Sequence, residues 1–252
     1  MLTADQVDHY RELGYVVPDF RLPDDALRSM RDDHTRLVER FPQFADYCGA
    51  LLVYDMSFLN YARNEQILDM VEQVIGENFA LWNSSLFAKP ARVGSRTPWH
   101  QDGEYWPIRP LATCSVWIAI DESTVENGCL KFIPGSHSAR ELYQHHTNSS
   151  DGLSLPLELD SDQFSEAESV DIELEAGQIS LHDVFLIHSS EPNRSIRPRR
   201  GLTLRFMPTS SVYRRDISQG VTAKFDQARS LFLMRGRDLS GENDFRLRAY
   251  RI

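Results

Sequence analysis

Ile179-Ser180-Leu181-His182-Asp183-Val184-Phe185-Leu186-Ile187-His188 is an apolar run rich in β-branched and aromatic residues, with two histidines set into it. Its length and composition are those of a buried strand. Five further runs of the same kind lie around it: Phe79 to Lys89, Cys114 to Asp121, Cys129 to Pro134, Ser169 to Glu175 and Gly201 to Pro208. Turn residues separate them, and most are joined without room for a crossover helix. That pattern predicts an antiparallel sandwich or barrel rather than a parallel α/β sheet.

Upstream the periodicity is helical. Thr3 caps a first helix on which Val7, Tyr10 and Leu13 share a face, and Gly14 ends it. Tyr15 to Val17 reads as a short strand. A second helix follows Pro23, with Leu27, Met30, Leu37 and Val38 on its buried side. A third runs from about Glu65 to Ile75 and stops at Gly76. The expected division is one domain: residues 1–78 mostly helical, 79–210 the β core and 211–252 a C-terminal extension.

Composition narrows the function. The 252 residues are 41% hydrophobic and 25% charged, ample for a buried core, and the net charge of -10 disfavours nucleic acid as a partner. No apolar stretch is long enough to span a membrane, and the first residues carry no leader-like pattern, so a cytoplasmic location is expected. Cys48, Cys114 and Cys129 have no CxxC spacing and read as core or incidental thiols. The oligomeric state is not legible.

Pro98-Trp99-His100-Gln101-Asp102 carries the sharpest chemistry. On an extended backbone His100 and Asp102 point to one face and offer an imidazole and a carboxylate together. Such a pair arises easily by chance. A third donor from the 179–188 run, either His182 or His188, would complete a facial set of two histidines and one carboxylate, which suits non-haem Fe(II) with open positions. The stretch Arg194 to Gly201 then brings several arginines into an acidic chain, suited to an anionic ligand near the metal. Arg197, Arg199 and Arg200 are the candidates. Trp99, Tyr105 and Trp106 flank the ligand pair as possible substrate-pocket walls, with Lys89, Arg96 and Arg109 as nearby charges. His145 and His146 lie in a polar segment and are expected to face solvent; Asn127-Gly128 and Pro134 to His137 read as turns.

His100-Gln101-Asp102-Gly103-Glu104-Tyr105-Trp106, the segment Trp117 to His137, and the segment Ser180 to Gly201 together resemble the phytanoyl-CoA dioxygenase family. The resemblance covers most of the chain and implies a double-stranded β-helix, or jelly roll, cupin-like, with N-terminal helices packed on it. It also implies Fe(II), 2-oxoglutarate and O2 as cofactor and cosubstrates. The family's ligand pattern falls on His100, Asp102 and His188, the last because Ser190 and Asn193 follow it at the family spacing. The 2-oxoglutarate arginine, eleven residues beyond, falls on Arg199, with Ser190, Trp117 and Asn193 around the cosubstrate; neighbouring Arg200 depends on strand register. The implied reaction is hydroxylation of a C–H bond with release of succinate and CO2, since halogenating relatives lack the Asp102 carboxylate. A small polar metabolite is the expected substrate. Two other readings are a cupin-like metal dioxygenase that uses no 2-oxoglutarate and a non-catalytic jelly-roll binding protein.

Overall fold

Phe79–Phe87 and Gly201–Pro208 are the longest antiparallel pair of the computed structural model, which describes residues 1–218 and 223–248. They sit in a seven-stranded sheet whose main path runs Tyr15–Val16, Ile179–Asp183, Cys114–Ala119, Gly201–Pro208, Phe79–Phe87, Phe232–Arg235; Tyr47–Cys48 also pairs with Phe79–Phe87. A second sheet orders Val170–Ile172, Leu130–Phe132, His188–Ser190, Thr97–His100. Every pairing in the two sheets is antiparallel. The architecture is a jelly roll with helical additions, as the resemblance implied.

The helices cover the outer face of the large sheet. Thr3 and Gln6 form a capping box for Ala4–Leu13, and Gly14 closes that helix with φ 83°, a left-handed conformation that glycine adopts without strain. Asp24–Arg40 and Glu65–Ile75 bury Leu27, Met30 and Leu37, and Ile67, Leu68 and Val71. These pack with Val116, Ile118, Leu181, Leu202 and Leu204 in one core cluster. Each such side chain contributes roughly 1.5–3 kcal/mol when fully buried.

Strand alternation sends the intervening residues to the opposite face. Ser115, Trp117, Ser180, His182, Thr203 and Arg205 therefore point between the two sheets. Phe79–Phe87 obeys the same rule only because of a bulge. Arg205 pairs with Asn83 and Phe206 with Leu81, which leaves Trp82 without an opposite residue and turns Asn83, Ser85 and Phe87 toward the site.

The β core does not end at residue 210. Phe232–Arg235 pairs with Phe79–Phe87 and supplies an edge strand, while Tyr15–Val16 supplies the opposite edge from the N-terminal part. Leu51–Tyr54 and the 3-10 turn Met56–Arg63, which the sequence pattern did not signal, complete the helical cover.

Candidate metal and cosubstrate site

Two neighbouring strands of the smaller sheet place His100 and His188 opposite each other, with ring centroids 4.1 Å apart. A register shift between His188 and Ser190 falls on the Thr97 side of this pair, and a turn follows on the other side. That 3-10 turn, Asp102–Tyr105, swings the Asp102 carboxylate back toward the rings. Donor atoms of His100, Asp102 and His188 lie within 4.8 Å of one another, and all three residues are buried.

Backbone carbonyls select the ligand nitrogens. His100 Nδ1 lies 2.8 Å from the Pro98 carbonyl and His188 Nδ1 2.9 Å from the Leu186 carbonyl. A carbonyl only accepts, so each Nδ1 carries the proton and each Nε2 is left with a free lone pair. Charge is set equally well. Burial, reinforced by His100, holds the His188 imidazole well below its ordinary pKa and therefore neutral. Burial alone would raise the Asp102 carboxyl, but the Arg205 guanidinium beside it brings it well below the usual range. Two imidazoles and one carboxylate, with no cysteine, fit a divalent ion with open positions rather than a closed structural zinc site.

His182 belongs to the opposite sheet. Its Nε2 lies 3.8 Å from Asp102 Oδ2, its ring centroid is 5.1 Å from that of His188, and its buried Nδ1 has no partner among the described residues. It stands beside the ligand cluster without joining its donor set.

Behind the cluster lies Arg199, 1% exposed. Its Nη2 donates to Ser190 Oγ at 3.0 Å and to the Gly128 carbonyl at 2.9 Å, and its guanidinium carbon sits 5.3 Å from the Trp117 ring centroid. Burial lowers its pKa to about 10, which leaves it charged at neutral pH. Its Nε is buried with no partner among the described residues, as is the hydroxyl of nearby Thr203. A buried cation without a hydrogen-bonded carboxylate is costly, and one carboxylate of a dicarboxylic acid satisfies these donors. The cleft is narrow, about 20 Å³, and Phe87, Leu130 and Trp117 line it between Arg199 and the ligand cluster.

Arg200 points the other way. It forms a two-pronged pair with Asp121 at 2.6 and 2.9 Å, on the side where Arg31 also reaches Asp121. Arg197 pairs with Glu122 at the surface.

Other expectations need correction. Trp99 faces away from the cluster and packs with Ile133, Leu159 and Ile187, its ring 5.2 Å from Phe164. It is core of the outer layer, because it precedes His100 on an extended strand. Asn193 lines neither cavity at the site: its amide donates to the Lys89 and Arg197 carbonyls and accepts from Ser195, shaping the bend before Arg199. Lys89 is buried with its ammonium on the Ser190 and Glu191 carbonyls, Arg96 pairs with Glu158, and Arg109 bonds backbone carbonyls. His145 is half-buried and accepts from the Gln101 amide at 3.1 Å, whereas His146 is largely exposed beside Asp160.

Tyr105 and Trp106 do line a cavity of about 280 Å³ that borders Asp102. Two residues in its surroundings escaped the sequence reading. Gln101, fully buried, ties the ligand turn to the Glu141 and Phe185 carbonyls and to the Tyr143 amide. Arg205 stands 3.9 Å from Asp102, and its signal was present as a charge inside the apolar run Leu202 to Met207.

Comparison with known proteins agrees with this geometry. The family model described as phytanoyl-CoA dioxygenase (PhyH) matches residues 2–201, and the chain belongs to that family. Fe(II), 2-oxoglutarate and O2 are the metal and cosubstrates of its members. A phytanoyl-CoA dioxygenase domain-containing protein 1 homolog of Dictyostelium discoideum is 30% identical over 178 residues, covering 70% of this chain and 63% of that one. A probable alpha-ketoglutarate-dependent hypophosphite dioxygenase of Stutzerimonas stutzeri is 29% identical over 144 residues, covering 56% and 50%. The match thus spans between half and two thirds of these relatives. Among solved structures, the apo form of the non-heme monooxygenase ThoJ superposes with a TM-score of 0.76 at 24% identity, covering 97% of this chain and 88% of the other. Among the described residues no helix is long and apolar enough to cross a membrane.

Proposed function

We propose that the protein is an Fe(II)- and 2-oxoglutarate-dependent dioxygenase that hydroxylates a C–H bond of a small molecule. One observation carries the reading: a buried two-histidine, one-carboxylate cluster shares a cleft with an arginine that lacks a carboxylate partner among the described residues. When bound, the metal and 2-oxoglutarate couple oxidative decarboxylation, which releases succinate and CO2, to oxidation of the substrate by O2.

The chain's own residues do the rest. Pro98 and Leu186 fix the tautomers of His100 and His188, Arg205 keeps Asp102 ionised, and these three side chains would hold the ion. Arg199 and Ser190 hold the distal carboxylate of the cosubstrate, with Trp117 flanking it. A cupin-like dioxygenase without 2-oxoglutarate would have no use for a buried Arg199, and a plain binding protein none for the preset tautomers. The aromatic cavity beside Asp102 favours a substrate with an apolar body over the small polar metabolite expected from the sequence.

The test is anaerobic addition of Fe(II) and 2-oxoglutarate to the full chain, followed by visible spectroscopy. The expected result is the charge-transfer band of a chelated keto acid, then succinate formation on admitting O2. Folded protein that binds Fe(II) but gives no band refutes the assignment.

A further inference from the structure

The cavity beside Asp102 is walled by aromatic side chains: Phe44, Tyr47 and Tyr54 from the N-terminal part, Tyr105 and Trp106 from the ligand turn, and Phe225 near the C-terminus. Such walls accept a flat apolar body. The floor is polar and carries Asn83, Ser85, Arg205 and Arg229.

Most of the floor is satisfied internally. Asn83 donates to the Gly49 carbonyl at 3.1 Å and accepts from Arg229 Nε at 3.2 Å. Ser85 donates to the same carbonyl at 3.2 Å. Arg229 bonds Gly49 as well and pairs with Asp226.

Arg205 differs. Its Nη1 donates to Ser85 Oγ at 2.5 Å, but its buried Nε has no hydrogen-bond partner among the described residues. The carboxylate that faces it, Asp102, is 3.9 Å away and belongs to the ligand cluster. Its guanidinium carbon sits 5.1 Å from the Trp106 ring centroid, at the junction of the aromatic wall and the floor. A desolvated guanidinium edge of this kind recognises an anionic oxygen. Arg229 is compensated by Asp226, so the unfilled guanidinium edge of Arg205, with Asp102 the sole acid lining the cavity among the described residues, is what disfavours an ammonium head despite the aromatic walls.

Resting on the dioxygenase reading above, we propose that the substrate is a planar apolar molecule bearing one anionic oxygen group. Arg205 holds that group, and Trp106 and Tyr105 flank the body. The C–H bonds near the anionic group then lie closest to Asp102 and the ligand cluster.

Isothermal titration of the full chain, loaded with redox-inert Zn(II) and saturating 2-oxoglutarate, tests this with three probes. 2-Naphthoate is expected to bind saturably, 2-naphthalenemethanol about tenfold or more weakly, and 2-naphthylmethylammonium weakest. Arg205→Met is expected to lower naphthoate affinity about tenfold while leaving the alcohol nearly unchanged, and Arg205→Lys to recover part of it. Equal wild-type affinity for naphthoate and alcohol overturns the inference whether or not the variants fold. So does tighter binding of the ammonium probe, or naphthoate binding that is seen only when 2-oxoglutarate is left out. The keto-acid band reports separately: a band without naphthoate binding overturns this inference alone, and naphthoate binding without a band overturns the dioxygenase reading alone.

Discussion

His100 and His188 face each other across two antiparallel strands, and each ring has its Nδ1 tied to the carbonyl two residues before it, of Pro98 and Leu186. The two histidines thus reach one point by the same local device on different strands. With tautomer and orientation fixed by backbone, little ordering is left for metal binding to impose.

His182 has no such tether, and its Nδ1 is unpartnered among the described residues. His188→Ala is therefore expected to abolish the Fe(II) and 2-oxoglutarate charge-transfer band, whereas His182→Ala keeps the band with Fe(II) affinity changed by less than about tenfold. Loss of the band in His182→Ala with retention in His188→Ala would reassign the ligand.

Arg199 and Arg200 are adjacent in sequence and opposite in role. Arg199→Met removes the charged partner of the cosubstrate carboxylate, worth roughly 1.5–3 kcal/mol, so KM for 2-oxoglutarate rises about 10- to 150-fold. Arg200→Met breaks the pair with Asp121. It should lower the melting temperature and leave KM for 2-oxoglutarate within about twofold, as steady-state succinate assays and thermal melts will show.

These two arginines also mark what sequence reading can reach. Period-two alternation made an antiparallel sandwich or barrel visible in the chain, and the two-residue spacing marked His100 and Asp102, but the jelly roll and the choice of His188 over His182 came from the resemblance. Choosing Arg199 over Arg200 required the resemblance, since both precede the strand Gly201–Pro208 and only the fold fixes which turns inward. The substrate cavity was far less legible. Phe44, Tyr47 and Tyr54 meet Trp106 through long-range packing, and the bulge at Trp82 that aims Asn83 and Ser85 at the cavity leaves no mark in composition. Trp99 misled because proximity to His100 in sequence put it on the opposite face.

Gly201 is required by a close approach. A Cβ at this position would lie 2.1 Å from Trp117 Cζ2, in the ring that flanks Arg199. Gly201→Ala is expected to cost about 1–3 kcal/mol by overpacking and to raise KM for 2-oxoglutarate as the indole shifts. Adding Trp117→Phe should restore part of the stability, giving a non-additive double-mutant cycle in urea unfolding. Additive losses would mean that the indole does not carry the strain.

Stability should fall on mild acidification through two buried histidines. His34 and His145 are each lowered to about 4, first of all by burial, with the Arg200 charge adding at His34. In the unfolded chain a histidine titrates near 6.5. Above that value both states hold the neutral ring and pH has no effect. Between about 6.5 and 4 the unfolded state takes up protons that the folded state refuses, so stability is lost as pH falls through this window. Thermal melts of the metal-free protein from pH 8 to pH 4 should show the decline, and His34→Gln should flatten it, because glutamine does not titrate. An unchanged slope in that variant would show that His34 is not one of the groups responsible.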